Sequence, residues 1–231
     1  MAETALIVGA GSGLSASLAR IFAKDGMRVA LAARNTIKLG TLVKETSALA
    51  VACDAAEPAQ VDSMFAAVEA KWGVPDLVVY NAGYRVRGPL VSLDPKEVER
   101  TIRVSAYAGF LVAQAATKRM LPRASGAVFF TGASASVKGY AESAPFAMGK
   151  FALRGLAQSM ARELAPKGIH VAHFVIDGGI SSGAGDPRSR ERGADGMLLP
   201  DEIAKNYLHV FRQHRSAWTW EVELRPWVER F

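Results

Sequence analysis

The sequence predicts an α/β protein: a single doubly wound parallel sheet of about seven strands, with helices on both faces. Three observations predict it. Short apolar or β-branched runs alternate along the chain with longer segments of helical period. Most of these runs lack polar alternation, as strands covered on both faces do. A cluster of glycines joins the first such run to the first helical segment.

In chain order the strand-like runs are "TALIV" (4–8), "RVALAA" (28–33), "ALAVAC" (48–53), "DLVVY" (76–80), "GAVFFTG" (126–132), "IHVAHFVI" (169–176) and "AWTWEVEL" (217–224). Helical segments are expected at about 14–25, 58–72, 95–121, 146–166 and 200–214. Only "WTWEVEL" alternates, which suits a strand near a sheet edge. The stretch 181–199 is rich in Gly, Ser, Pro and charge, so it is expected to be a long mobile loop beside the substrate.

Composition narrows the classes. With 231 residues, half of them hydrophobic, one domain spanning 1–231 with one sizeable core is expected. A single cysteine, Cys53, excludes an internal disulfide and a multi-cysteine metal site, and no metal site is expected. No run of eighteen apolar residues and no leader pattern is found, so a soluble cytoplasmic protein is expected. The net charge of +6 is scattered apart from "RSRER" (188–192), so neither a nucleic acid nor a membrane is expected as partner.

"TALIVGAGSGLSASLARIFAKDG" sets Gly9, Gly11 and Gly13 between strand and helix. Glycine there lets the backbone approach a pyrophosphate, whose charge meets the unpaired amides of the helix start, as in Rossmann-type domains. The second strand ends "LAARNTIKL", with Ala33 where a ribose-binding acid would stand, followed by Arg34 and Asn35. An arginine pairs with a 2′-phosphate through aligned donors, so NADP(H) is preferred over NAD(H). Asp54 in "CDAAE" and Asn81 in "NAGY" end the third and fourth strands, where open parallel sheets bind ligands.

Taken together, "GAGSGLS", "CDAAE", "NAG", the helix carrying Lys150 and "LPDEIA" resemble the short-chain dehydrogenase/reductase family over nearly the whole chain. The resemblance implies that Gly9, Ser12, Gly13 and Leu14 line the pyrophosphate, and that Asp54 and Ala55 flank the adenine. It further implies that Asn81, Ala82 and Gly83 meet the adenosine ribose side and that Lys150 holds the nicotinamide ribose. Gly178 and Ile180 would reach the carboxamide, and Ser182 a phosphate-side position. Ser15 replaces the usual third glycine, a change expected to act on helix packing.

Three of the family's four catalytic positions differ. By the resemblance, alignment on Lys150 puts Phe146 at the tyrosine and, counting back, Ala133 at the serine with Ser134 beside it, while "VSAYAGF" puts Ala106 at the asparagine. The usual ketone/alcohol mechanism is therefore not expected to operate unchanged. Asp177, in "IDGGISS", has two readings: a turn residue, or a carboxylate near the reacting carbon that suits a cationic imine. Ser134 and Tyr140 are candidate replacement donors, with Tyr84 and Tyr107 more remote ones. His170 and His173 fall on opposite faces of their strand and read as core residues. The expected function is hydride transfer between NADP(H) and a small C=O or C=N substrate; a cofactor-binding sensor or partner subunit is the alternative. By resemblance the chain is expected to be a homodimer or homotetramer built on the helices at 95–121 and 146–166; Trp227 and Phe231 read either as covering a neighbouring subunit or as folding back over their own pocket.

Overall fold

The computed structural model describes residues 2–183, 185–193 and 195–230; Phe231 lies outside them. Seven strands form one sheet in the order β3-β2-β1-β4-β5-β6-β7, every pairing parallel. They are β1 Thr4–Val8, β2 Arg28–Ala33, β3 Leu49–Ala52, β4 Leu77–Tyr80, β5 Gly126–Thr131, β6 Ile169–Ile176 and β7 Glu221–Leu224. Strand order reverses at β1, so the chain departs in opposite directions from the ends of β1 and β4. A crevice opens between them there.

Each central strand feeds two cores, which is why polar alternation is missing. Leu6 and Val8 of β1 join Val78 and Tyr80 of β4 and Val128 and Phe130 of β5 on one face. Ala5 and Ile7, Leu77 and Val79, and Ala127 and Phe129 point to the other. The first face is covered by α3 (Pro58–Trp72), α5 (Ala108–Met120) and α6 (Ala144–Leu164); the second by α1 (Leu14–Lys24), α2 (Gly40–Thr46) and α8 (Pro200–Phe211). Burying each large side chain in these layers contributes about 1.5–3 kcal/mol. The alternating β7 sits at the sheet edge.

Four expectations are revised. The helix expected at 95–121 is α4 (Pro95–Ile102), a π-helical turn over Arg103–Tyr107, and α5. A π turn inserts one residue into the helical register; here the Tyr80 hydroxyl donates to the Val104 carbonyl within it. The stretch 181–199 is not a plain loop. It contains α7 (Pro187–Arg192), capped by Asp186, and Ile180 bridges to Leu198. α2 went unpredicted because it is only seven residues long and opens on a glycine. β7 begins later than expected, since Arg215–Ala217 form a 3-10 turn and Trp218 stacks on His170 at 4.7 Å.

Candidate active site

The crevice at the carboxyl ends of β1 and β4 is built around one glycine. Gly9 has φ +84°, and a Cβ there would lie 2.4 Å from the Ala82 amide nitrogen. Its amide and that of Ala10 donate to the Ala32 carbonyl at 3.0 and 2.9 Å, turning the chain away from the sheet. Ser15 then braces the turn, its hydroxyl donating to the Gly9 carbonyl at 3.1 Å and accepting from Asn81 Nδ2 at 2.7 Å. The serine in place of the third glycine thus does more than pack: it ties the glycine turn to the "NAG" turn.

Side chains added at Gly11 or Gly13 would meet nothing within 4 Å, and no side chain caps the start of α1. Amides without partners at a helix start, beside backbone that can be closely approached, fit a diphosphate. The crevice, about 350 Å³, runs on past Ala55, Ala82 and Gly83 to Arg34 and Asn35. Ser12, in the same glycine turn, is exposed. Asp54 accepts from the Ala56 amide at 3.0 Å, while Asn35 accepts from the Ile37 amide at 3.0 Å and so shapes its own loop. Lys38 lines the same wall as Arg34 and was missed. It stands four residues on, but the 3-10 turn Ile37–Leu39 that brings it round left no periodic signal.

A second cavity of about 470 Å³ continues from Leu14, Asn81 and Gly83 toward α6, with Gly178 and Ile180 on its far side. Ser143, Phe146 and Lys150 line it from positions three and seven residues apart on α6, one stripe of that helix. The Lys150 ammonium is buried and donates to the Thr131 carbonyl at 2.7 Å; burial pushes its pKa down to about 8. The Phe146 ring occupies the space beside it, its centre 5.8 Å from Lys150 Nζ and 5.1 Å from the guanidinium carbon of Arg85. Ser134 and Tyr140 line the cavity, as does Tyr84, whose hydroxyl donates to Glu97 at 2.6 Å and whose ring carries the Arg100 guanidinium at 4.3 Å. Ala133 leaves its amide bonded to Ser136 Oγ at 3.1 Å.

Three site assignments change. Ala106 is half-buried, whereas Ser105 is fully buried against α6: a Cβ at Gly149, next to Lys150, would lie 2.7 Å from Ser105 Cβ. Ser105, within the π turn, is thus packed closely against the lysine's helix. Asp177 is buried but turned away from both cavities, its carboxylate held by Lys138 at 3.1 Å and Arg225 at 3.2 Å. Two cations hold it there, Arg225 pairing with Glu223 as well. Ser182 spends its amide and hydroxyl on Asp186, at 2.9 and 3.1 Å, and is closed into its own loop.

Tyr107 stacks on Phe110 at the surface, away from the cavity. The two histidines diverge as their spacing requires: His170 Nε2 meets the Thr219 carbonyl at 2.9 Å, and His173 Nδ1 meets Glu221 at 3.1 Å. Burial lowers both pKa values, that of His173 to about 4, so both are neutral near pH 7. Arg154 forks onto Glu221 at 2.7 and 2.8 Å, tying α6 to β7 behind the site.

A parallel sheet in this order, a glycine turn opening on an uncapped helix, and a cavity continuing to a buried lysine define an NAD(P)-dependent oxidoreductase. The chain belongs to the short chain dehydrogenase family, whose model matches residues 3–192. Among solved structures it is similar to a short-chain dehydrogenase from Rhodopseudomonas palustris, 33% identical, TM-score 0.84, covering 97% of this chain and 99% of that one. A metagenomic short-chain oxidoreductase in complex with NADP is 27% identical, TM-score 0.84, with 97% of each chain covered. (+)-Borneol dehydrogenase 1 of Salvia officinalis is 31% identical over 93% of this chain and 88% of its own. An uncharacterized oxidoreductase of Staphylococcus aureus (strain USA300) is 26% identical over 97% of both.

Proposed function

We propose that this protein is an NADP(H)-dependent oxidoreductase that transfers hydride between the nicotinamide and a small carbonyl substrate at an active site lacking the tyrosine. Support for the phosphate preference comes from Arg34 and Lys38, two cations on the crevice wall beyond Ala33. Neither forms an ion pair among the described residues. A guanidinium backed by an ammonium suits a 2′-phosphate. The relative solved with NADP adds to that support.

When bound, the nicotinamide supplies the hydride; the chain's own residues hold and orient. Lys150, fixed by the Thr131 carbonyl, holds ribose hydroxyls and keeps positive charge next to the site at neutral pH. Phe146 cannot deliver a proton. Ser134 and Tyr140 are the hydroxyls open to the cavity that the proposal gives this role. Losing the phenol forfeits a contribution of about 10²–10⁴-fold, so turnover is slow with simple ketones. Asp177 lends an iminium substrate no support, because Lys138 and Arg225 already neutralise it.

Assembly is part of the same reading. Tyr107, Phe110, Met148 and Phe151 are exposed on the π turn, α5 and α6, an apolar face suited to a homodimer or homotetramer. Trp227, 79% exposed, would join a second contact. No helix among the described residues is long and apolar enough to cross a membrane. The buried Cys53, its thiol pushed up to about 11 chiefly by burial, suits a cytoplasmic setting.

Fluorescence titration with NADPH and NADH tests the proposal. NADPH is expected to bind roughly tenfold or more tightly than NADH, and Arg34→Leu to erase the difference. Equal affinity in the wild type refutes the preference. Tight binding with no NADPH consumption across an aldehyde and ketone panel would favour the sensor instead.

A further inference from the structure

We infer that the second cavity binds a carbonyl substrate bearing a carboxylate, with Arg85 and Ser143 as its anchoring side chains. The inference rests on the proposed hydride-transfer reading and names its substrate class.

The cavity's charge is one-sided. Among the described residues its lining carries Arg85 and Lys150, and no aspartate or glutamate. Both cations lie against the Phe146 ring, which takes neither charge away. Two carboxylates next in line to cavity residues are already paired. Glu97 accepts from Tyr84 and pairs with Arg100 at 3.5 Å, and Asp177 is clamped by Lys138 and Arg225. Arg85 forms no ion pair among the described residues. A carboxylate fits the fork of donors that a guanidinium presents.

Ser143 points the same way by a separate route. It is 1% exposed, its hydroxyl has no hydrogen-bond partner, and it lines this cavity. Although it stands at the N-cap of α6, it does not use its side chain to cap the helix. A buried hydroxyl without a partner is costly and is normally satisfied by protein, water or ligand. Phe146, one turn further on, is where an ordinary member of the family would offer its phenol. Ser143 is therefore the buried donor on the same stripe of α6, free to bond an oxygen of the substrate.

The probes are benzoylformate and its methyl ester, which share a ketone and differ in charge. NADPH titration comes first and reads the cofactor proposal alone. Calorimetry on NADPH-loaded protein then measures each probe, with NADPH oxidation followed at 340 nm. Benzoylformate is expected to bind roughly tenfold or more tightly than the ester, and Arg85→Met to abolish that ratio while leaving NADPH affinity intact. Arg85→Lys should keep part of it. Ser143→Ala should weaken benzoylformate severalfold with thermal stability equal to or above wild type, since no native hydrogen bond is lost and a costly unpaired hydroxyl is removed. Equal binding of acid and ester, or a ratio that survives Arg85→Met, overturns the inference even if NADPH is bound and oxidised. Should NADPH not bind, the same calorimetry on cofactor-free protein decides the anion site by the same ratio.

Discussion

Alanine at Gly9 and at Gly11 should have opposite consequences, although the two glycines stand two residues apart. At Gly9 the backbone is left-handed, φ +84°, which costs an L-residue about 1–2 kcal/mol. The new methyl would also lie 2.4 Å from a backbone nitrogen and 2.5 Å from the Cα of Ala82, so the "NAG" turn has to move. Overpacking of that kind costs about 1–3 kcal/mol more. The sum, roughly 2–5 kcal/mol, lowers Tm by roughly 4–20 °C for a chain of this size. At Gly11 φ is not in the left-handed region and a Cβ meets nothing within 4 Å, so stability should stay within about 0.5 kcal/mol of wild type. A methyl there instead intrudes where the diphosphate approaches the backbone, and NADPH affinity should fall roughly tenfold or more. Calorimetric melting and fluorescence titration, run on both variants, read the two quantities separately. The reasoning is refuted if Gly11→Ala binds NADPH like wild type, or if Gly9→Ala melts where wild type does.

The buried Lys150 gives a pH signature. Its pKa is about 8 in the fold against 10.5 unfolded, so below pH 8 it is charged in both states and its burial penalty is fully present. Between pH 8 and 10.5 the unfolded chain binds the extra proton; stability should rise across that window by roughly 3 kcal/mol relative to Lys150→Met, measured by urea unfolding. A Lys150→Met variant with the same slope as wild type would contradict the assignment. Lys38→Ala should weaken NADPH about fivefold and leave NADH unchanged, by titration, because its partner is the 2′-phosphate. Phe146→Tyr combined with Ala133→Ser should raise ketone turnover about 10²-fold or more if the cavity is merely disarmed, read as NADPH oxidation. No gain would mean that the site has been rebuilt around other groups.

Much of this architecture is local, and the sequence carries it for that reason. Apolar runs without alternation require strands covered on both sides, and the two cores fed by Leu6 and Ile7 bear that out. Glycines between strand and helix require a turn that backbone alone can make, and Gly9 is forced by its φ. The pairing of Phe146 with Lys150 can be read directly, because four residues apart is about one helical turn, and both line the second cavity.

What the sequence could not reveal depends on how elements meet. The motif "VSAYAGF" put Ala106 at the site, but it could not show the π turn over Arg103–Tyr107, joined to Tyr80 by a hydrogen bond, or that Ser105 packs against Gly149. Asp177 had two readings until Lys138, 39 residues upstream, and Arg225 from beyond β7 were brought onto it. Lys38, Arg85 and Ser143 carried no motif; their significance is that Lys38 faces the first crevice and the other two the second cavity, where Ser143 lacks a partner. Periodicity and turn chemistry are properties of neighbouring residues, so the sequence alone settled the sheet and the glycine turn. Charge balance and hydrogen-bond satisfaction are sums over atoms distant along the chain, and only the tertiary structure decided those.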